Sequence, residues 1–386
     1  MGDVFGIKEL YNPTEKPVAD IVAVHGLNGD RIKSWTSESG DTCWLKHPDF
    51  LPKYIQQCRV LTWGYNANIS TLTGKTTSSD RILQHAQTLI AQLHADRDLN
   101  DANERPIIFL CHSMGGIVAL AYSASRSAAN ISHLQSIYNC TFGILFFGTP
   151  HSGSSKARLL DNLIKVVSIA LPTGKMESGL VNALKEESET LRDITDQFAP
   201  LMSRFRIYFF WEQERMDLKY TKDYVVEEPS AAPILDNTER CGIAADHRGM
   251  IKFDDNELQG FRTVMSALKR YSSEAPRVIE DRLKIAAQAL GASRWNEAME
   301  LTKTAQPFAP YQFPQYYPSS DEVATQQLAT YPFMATSQAP MPINSHPNRK
   351  DFLIEDLGTR QRAVGNEAED RPIGEETVFA DSSVKY

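Results

Sequence analysis

The chain has 386 residues, of which 42% are hydrophobic, so it is long enough to form one large core. Its formal net charge of −8 argues against a nucleic-acid partner, because proteins that bind nucleic acid present a basic face. No apolar stretch is as long as a membrane-spanning helix and no secretory signal is visible, which predicts a cytoplasmic protein. The five cysteines are scattered without the paired spacing of a zinc site, so we expect reduced thiols, no metal and no cofactor.

The first strand-like run, Ala19 to Val24, leads into the loop His25-Gly26-Leu27-Asn28-Gly29-Asp30. Acyl-transfer enzymes stabilise a negatively charged intermediate with two backbone N–H groups, one of which comes from a loop after an early strand. The position of this loop and its glycines predict that the N–H of Leu27 is one of these donors. The alternative is an ordinary turn between a strand and a loop.

The stretch from Arg105 to Leu120 reads RPIIFLCHSMGGIVAL and predicts a buried strand, a tight corner and an Ala-rich helix. A serine at such a corner is typical of a nucleophile elbow, whose strained turn holds the hydroxyl where a histidine can reach it. We therefore predict that Ser113 is the nucleophile and that the N–H of Met114 is the second oxyanion donor. Cys111 stands where this pattern normally has glycine. The alternative is a serine that only caps the following helix.

Strands that are nearly continuous in apolar residues alternate with helices, which predicts an α/β fold with a mostly parallel sheet and helices on both faces. Besides those above, strands are expected at Arg59 to Gly64, Thr141 to Phe147 and Ile207 to Trp211, and a helix at Asp80 to Asp96. Ligands of such sheets bind beyond the carboxyl ends of the strands. The loops HGLNGD, CHSMGG and GTPHSG are therefore expected to meet at one edge of the sheet.

The segment from about 156 to 205 contains two or three amphipathic stretches that interrupt the rhythm of strands. This insertion predicts a helical cap over the site, and plain packing of helices on the sheet is the alternative. C-terminal helices are expected over about 254–301. One would end at Tyr271, and a second helix, or a pair broken near Gly291, would follow it.

The composition changes after residue 304, because nine of the twenty prolines fall between Pro307 and Pro372. Such a segment has too few apolar residues to form a core. We therefore predict a hydrolase-type domain at 1–304 and a disordered, Pro-rich tail at 305–386. The sequence does not identify a protein partner for the tail.

The serine needs a general base, which is nearly always a histidine and which follows the serine and the acid in chain order in this architecture. Four histidines follow Ser113: His133, His151, His247 and His346. The first lies on or after the elbow helix, the second comes before any acid strand, and the last is in the tail. His247 follows the last predicted strand and precedes a helix, so we predict that it is the base. The alternative is a surface histidine beside Asp246 and Arg248.

The acid orients the imidazole of the base and stabilises its charged form. We predict that it is Glu212, because this carboxylate ends the strand that follows the cap. Four other carboxylates remain as alternatives: Glu214, Asp217, Glu227 and Glu228. Asp246 is less suited, since chain neighbours rarely face each other as a histidine and its acid must.

Five stretches carry a family resemblance: DIVAVHGLNGD, RVLTWGYNA, RPIIFLCHSMGGIVAL, GILFFGTPHSGS and ADHRGMIKF. They resemble the serine active site-containing lipase-like proteins and their fungal relatives, which are similar to the inositol deacylase of GPI anchors. The resemblance implies an α/β-hydrolase fold and a catalytic triad, which falls here on Ser113, Glu212 and His247. It also implies ester substrates such as phospholipids, and association of some relatives with mitochondria or the endoplasmic reticulum.

The sequence therefore predicts a serine esterase or lipase-like hydrolase of lipid metabolism that acts on a small-molecule carboxylic ester, with peripheral membrane contact as a further expectation. Two alternatives stay open. One is a catalytically silent, hydrolase-like interaction module, and the other is an acyltransferase or esterase of a biosynthetic pathway. The sequence does not specify the ester, the acyl acceptor or the oligomeric state.

Overall fold

The computed structural model describes residues 5–67, 78–124, 134–151, 156–170, 178–218 and 221–304, and the predicted tail lies outside these ranges. The strands are β1 (Gly6–Tyr11), β2 (Ala19–Val24), β3 (Cys58–Gly64), β4 (Ile107–His112), β5 (Thr141–Phe147), β6 (Arg206–Glu212), β7 (Met216–Leu218), β8 (Thr221–Asp223) and β9 (Thr238–Ile243). The α-helices are α1 (Leu51–Tyr54), α2 (Ser78–Leu99), α3 (Met114–Ala124), α4 (Gln135–Cys140), α5 (Lys156–Ala170), α6 (Ser178–Phe198), α7 (Glu228–Ala231) and α8 (Gln259–Thr304).

Within the described residues, seven strands form one sheet in the order β1-β3-β2-β4-β5-β6-β9. β1 runs antiparallel to β3, and the other neighbouring pairs are parallel. Every residue of β2, β3, β4 and β5 is buried, as expected for parallel strands covered on both faces. The mostly parallel α/β fold predicted from the sequence is confirmed, and β1 and β9 are added at the two edges of the sheet.

Helices cover both faces of this sheet. Side chains alternate along a strand, and the strand registers place Gly143 of β5 and Trp63 of β3 on opposite faces. Helix α8 covers the first face, where a Cβ added to Gly143 would lie 2.7 Å from the ring of Tyr271. Helix α2 covers the second, where the indole N–H of Trp63 donates to Gln92 over 2.7 Å.

The C-terminal part is a single helix of 46 residues, α8, so the prediction of separate helices over 254–301 was wrong. The helix begins at Gln259 and continues through Pro276, which removes one backbone donor from the helix interior. Its buried face passes the proline without a break, since Tyr271, Ala275 and Ile279 are all buried. Packing of that face against the sheet outweighs the local signal for a break.

The segment predicted to be a cap is helical where the structure describes it, in α5, α6 and a 3-10 helix at Ala199–Arg204. Helix α6 packs against α2 and α3, and thus belongs to the helical layer beside the sheet, while α5 packs against α6. The carboxyl end of α5 nevertheless comes close to the predicted base, because Arg248 donates to the carbonyl of Ile169 over 2.5 Å. A cap role for α5 stays a prediction.

A buried charge cluster lies at the amino ends of the strands, far from the carboxyl edge where ligands of such sheets bind. Asp20 at the start of β2 is fully buried. Its carboxylate accepts hydrogen bonds from Nε of Arg59 and Nη1 of Arg105, each over 2.9 Å, and from Nη1 of Arg97. The cluster links the carboxyl end of α2 to β2 and β3. The arginines compensate the negative charge of the buried Asp20.

Candidate active site

The site is built around one residue that stands between a strand and a helix. Strand β4 ends at His112 and helix α3 begins at Met114, so Ser113 forms the corner alone. Its φ of +51° lies in the left-handed region that non-glycine residues rarely adopt. The N–H of Ser113 donates to the carbonyl of Phe147 over 2.9 Å, and its own carbonyl accepts from Thr149 Oγ1 over 3.1 Å. These bonds to the end of β5 hold the strained corner in place.

Small residues let the helix approach the strand ends at this corner. A Cβ added to Gly115 would lie 2.4 Å from the carbonyl oxygen of His25, and one added to Gly116 would lie 2.1 Å from Thr149 Oγ1. Cys111, which replaces the usual glycine, is fully buried within β4, where its small side chain fits. Burial raises the pKa of the Cys111 thiol, so this group is uncharged and does not compete as a nucleophile.

The structure brings His247 to the serine. Its Nε2 lies 3.0 Å from Oγ of Ser113, and the imidazole is almost fully buried. His247 follows β9, an edge strand that is not among the strands predicted from the sequence. Room for the ring comes from Gly148, whose φ is +56° and where an added Cβ would lie 2.9 Å from Cε1 of His247.

Glu212, the last residue of β6, lies on the other side of this imidazole. Its Oε2 is 3.1 Å from Nδ1 of His247, although the N–H is not aligned with the oxygen as in a linear hydrogen bond. Such contacts often tighten only in the complex with substrate. The second oxygen, Oε1, accepts from the N–H of Val226 over 2.7 Å, which fixes the carboxylate. Since Nδ1 faces a carboxylate, it carries the proton, and Nε2 is left to accept from the serine hydroxyl.

The other candidates for acid and base are not brought to this position. The four alternative acids all have exposed side chains: Glu214, Asp217, Glu227 and Glu228. His151 is buried between the rings of Phe146 and Phe209, and burial lowers its pKa to about 3. His133 and His346 lie outside the described residues.

His112 is a part of the site that the sequence analysis did not identify. Its Nε2 donates to the backbone carbonyl of His247 over 2.8 Å, and the centroids of the two rings are 5.0 Å apart. Burial lowers the pKa of His112 to about 3, so the ring is neutral near pH 7 and carries its single proton on Nε2. The signal available from the sequence was only its position next to the predicted nucleophile.

The loop after β2 lies against the corner, as its predicted oxyanion role requires. A Cβ added to Gly26 would lie 2.8 Å from Cβ of Ser113. The loop is fixed by a hydrogen bond from Asn28 N–H to the carbonyl of Ala67, over 2.8 Å, and by His25, whose Nδ1 donates to the carbonyl of Gly26 over 2.9 Å. The ring of His25 stacks on Tyr65 at 4.6 Å, and burial lowers its pKa to about 4, so it is neutral near pH 7.

The two predicted oxyanion donors are backbone groups without a competing acceptor among the described residues. Met114 is the first residue of α3, a position whose N–H has no acceptor within its own helix. Around Leu27 the hydrogen bonds of the loop are made by the amides of Asn28 and Gly29. An oxyanion role for both N–H groups stays a prediction.

Two further features concern metal binding and membrane insertion in the part of the chain that the structure describes. There, no three His, Cys, Asp or Glu side chains are grouped as metal ligands would be. None of the helices described combines the length and the apolar character needed to cross a membrane.

Comparison with known proteins places the chain among remote relatives. No protein-family model matches it. The SERAC1 protein of Bos taurus is 25% identical over 211 residues, which are 50% of this chain and 30% of the bovine protein. The SERAC1 protein of Danio rerio is 28% identical over 219 residues, 52% of this chain and 31% of the fish protein. The chain thus spans about a third of the length of these curated relatives.

Among solved structures, the chain aligns with the thermostable carboxyl esterase from Bacillus coagulans in complex with glycerol. It is 13% identical, with a TM-score of 0.38, over 69% of this chain and 99% of the esterase. The resemblance to lipase-like α/β-hydrolases inferred from the motifs is supported by the SERAC1 matches. The sheet order, with a serine corner between a parallel strand and its helix, is that of the α/β-hydrolase fold.

Proposed function

We propose that the protein is a serine hydrolase that cleaves a carboxylic ester of a lipid or another acyl compound. The observation that carries the proposal is the chain of contacts from Ser113 Oγ to His247 Nε2, at 3.0 Å, and from His247 Nδ1 to Glu212 Oε2, at 3.1 Å. A hydroxyl, an imidazole and a carboxylate in this order are the groups that acyl transfer through a serine requires.

In the first half of the reaction, Oγ of Ser113 attacks the ester carbonyl carbon while Nε2 of His247 takes the hydroxyl proton. The carbonyl oxygen becomes an oxyanion that accepts hydrogen bonds from the N–H groups of Leu27 and Met114. The bond to the alcohol oxygen then breaks, and His247 returns the proton to that oxygen. An acyl-enzyme on Ser113 and a free alcohol result.

In the second half, His247 takes a proton from water, whose oxygen attacks the acyl carbon. The tetrahedral intermediate collapses, the proton returns to Oγ of Ser113, and a carboxylic acid leaves. Throughout, Glu212 holds Nδ1–H of His247 and stabilises the imidazolium that forms twice per cycle. The bond from Val226 N–H to Glu212 keeps the carboxylate pointed at the imidazole.

The nature of the acyl group rests on the family resemblance, which favours a lipid ester as substrate and peripheral contact with a membrane. For the cellular location we keep the cytoplasm as the expectation from the sequence, and the resemblance gives association with the mitochondrion or the endoplasmic reticulum as the alternative.

The proposal is tested by labelling with a fluorophosphonate probe and by hydrolysis of short-chain p-nitrophenyl esters. Ser113→Ala should abolish both, because the attacking oxygen is lost. Ser230→Ala is the matched control, since Ser230 is equally buried but bonds to the carbonyl of His151 and should keep both activities. A folded wild type that no probe labels would refute the proposal and favour a catalytically silent interaction module.

Hydrolysis and acyl transfer share the acyl-enzyme, and they differ in the group that accepts the acyl chain. Product analysis with a panel of alcohols and amines present in the assay separates the two. A free carboxylic acid as the main product supports hydrolysis, and an ester or amide of the added acceptor supports an acyltransferase.

A further inference from the structure

Thr149 is a fully buried residue beside the site that takes no part in the proposed proton transfers. It lies just beyond the carboxyl end of β5. Buried hydroxyls nearly always make a hydrogen bond, and this one donates to the carbonyl oxygen of Ser113 over 3.1 Å. The hydroxyl of Thr149 is therefore bonded to the main chain of the proposed nucleophile, and not to its side chain.

The main chain around Thr149 is held on both sides. Before it, the N–H of Gly148 donates to the carbonyl of Phe210 over 2.9 Å. After it, the N–H of His151 donates to the carbonyl of Ser230 over 2.9 Å. The next residue in the chain is a proline, which disfavours helical backbone angles at the residue before it. The hydroxyl thus projects from a fixed position.

Glycine at position 116 lets this hydroxyl reach the corner. A Cβ added to Gly116, in the first turn of α3, would lie 2.1 Å from Oγ1 and 2.6 Å from Cγ2 of Thr149. A larger residue there would push the threonine away. The N–H of Gly116 itself donates to the carbonyl of Ser113 over 3.0 Å. This carbonyl therefore accepts two hydrogen bonds, one from α3 and one from the loop after β5.

These two bonds also determine where the next N–H group points. The carbonyl of Ser113 and the N–H of Met114 belong to one peptide group, which is planar and trans, so the two point in opposite directions. Holding the carbonyl toward Thr149 and Gly116 therefore holds the N–H of Met114 on the opposite side of the same plane. Connected hydrogen bonds also polarise one another, so a carbonyl that accepts two bonds makes its peptide N–H a stronger donor.

We infer that Thr149 is a positioning residue, whose hydroxyl orients the N–H of Met114 toward the oxyanion through the peptide group that follows Ser113. The inference rests on the proposed function, because it needs an oxyanion formed at this serine. When Oγ of Ser113 attacks the ester carbon, the electron pair of the C=O bond moves to its oxygen, and the hydroxyl proton goes to Nε2 of His247. The negative oxygen then accepts from a donor that is already in place, which lowers the barrier.

Three substitutions separate the hydroxyl of Thr149 from the rest of its side chain. Thr149→Ser keeps the hydroxyl and loses the methyl group, Thr149→Val keeps the branched shape and loses the hydroxyl, and Thr149→Ala loses both. Because removal of a whole oxyanion donor costs about 100- to 1,000-fold in kcat, loosening one should cost about 10-fold. We expect this loss in the Val and Ala variants, with little change in KM. Thr149→Ser should keep most of the wild-type kcat.

Inhibition by a trifluoromethyl ketone gives a readout that packing alone would not change. Oγ of the serine adds to the ketone carbon, and the adduct carries an oxyanion like that of the reaction intermediate. The inhibition constant should therefore rise about 10-fold in the Val and Ala variants and stay near that of the wild type in Thr149→Ser.

Thr141→Val is the matched control at the other end of β5. Thr141 is also buried, and its hydroxyl donates to the carbonyl of Ile137 over 2.7 Å. The control loses a buried hydrogen bond of the same kind, and should keep both the kcat and the inhibition constant of the wild type. An equal loss of kcat in Thr141→Val and Thr149→Val would overturn the inference.

The inference also fails if kcat follows the methyl group, so that Thr149→Val resembles the wild type and Thr149→Ser resembles Thr149→Ala. Titration with the fluorophosphonate probe corrects each kcat for the fraction of folded sites. If Thr149→Val does not fold, the Ser and Ala variants decide, because they differ only in the hydroxyl. A wild type without label or turnover refutes the proposed function itself, whereas an active wild type with kinetics equal to those of all three variants refutes only the role of Thr149.

Discussion

The imidazole of His112 donates a hydrogen bond to the backbone carbonyl of His247 over 2.8 Å, across 135 positions of sequence. His112 directly precedes Ser113, so the two loops that carry the proposed nucleophile and the proposed base are joined twice. One link is the contact between Oγ and Nε2, and the other is this bond from a neutral ring. The second link does not depend on substrate, and it fixes the main chain from which the base projects.

His112 should therefore act as a positioning residue for His247. Substitution of His112 by Phe keeps a ring but removes the donor, which leaves the buried carbonyl of His247 without a partner. We expect kcat to fall about 10- to 100-fold with little change in KM, because a small displacement of the base misaligns proton transfer. Esterase kinetics as a function of pH should also show a shifted acid limb.

The variant His112→Gln is the control, since its amide nitrogen can donate from nearly the same place. It should recover most of kcat and the wild-type pH profile. If Phe and Gln behave alike at equal melting temperature, His112 only fills space and has no positioning role.

If Glu212 is the acid of the triad, replacing its carboxylate by an amide should lower kcat strongly. In Glu212→Gln the amide can still accept from Val226 N–H, but it presents an NH₂ group toward Nδ1 of His247 and favours the wrong tautomer. We expect kcat to fall by about 10⁴-fold, as in other triads that lose the charge of the acid. Glu214→Gln alters an exposed carboxylate two residues away and should leave kcat unchanged. A stronger effect at Glu214 would reverse the assignment.

Gly148 should matter because of the space it leaves for the base. A methyl group there would lie 2.9 Å from Cε1 of His247, at a position with φ of +56°. We expect Gly148→Ala to displace the imidazole and to lower kcat on the order of 100-fold.

Gly40→Ala provides a matched backbone control. Gly40 has φ of +86°, and an added Cβ would meet nothing within 4 Å. Both variants bear the cost of a left-handed alanine, about 1–2 kcal/mol, but only the first reaches the site. Thermal melts and ester hydrolysis on both proteins check this, and an equal loss of kcat in the two would contradict it.

The motifs of the candidate site could be predicted from the amino-acid sequence, because each is formed by a strand and the turn or helix that directly follows it. The corner at Ser113, the loop with Leu27 and the strand end at Glu212 all depend on residues that are close along the chain. Edge strands were harder to predict. Strand β9 is only half-buried over most of its length and lacks the continuous apolar run of the central strands. Consequently β9, the strand that precedes His247, was not predicted.

Pairings between distant residues could not be predicted in the same way. Asp20 bonds to Arg59 and Arg105, which are 39 and 85 residues away, and nothing in a single sequence indicates which charges meet. The bond from His112 to His247 is of the same kind. The prediction of separate C-terminal helices was wrong for a related reason. Packing of the inner face of α8 on the sheet keeps the helix continuous through Pro276, and this packing involves residues that are distant in the sequence.

Burial of His151 should make the folded protein less stable in acid. This ring is buried between Phe146 and Phe209, and burial lowers its pKa to about 3, against about 6.5 in an unfolded chain. Between these two pH values His151 is protonated in the unfolded state but not in the folded state. The free energy of unfolding therefore falls as the pH drops below 6.5, and this histidine does not change it above that pH.

The variant His151→Phe places a third aromatic ring in the same surroundings and removes the group that takes up the proton. Urea unfolding at pH 7.5 and 5.5 should show that the wild type loses about 1.4 kcal/mol more than the variant. Equal losses in the two proteins would mean that His151 becomes protonated without unfolding.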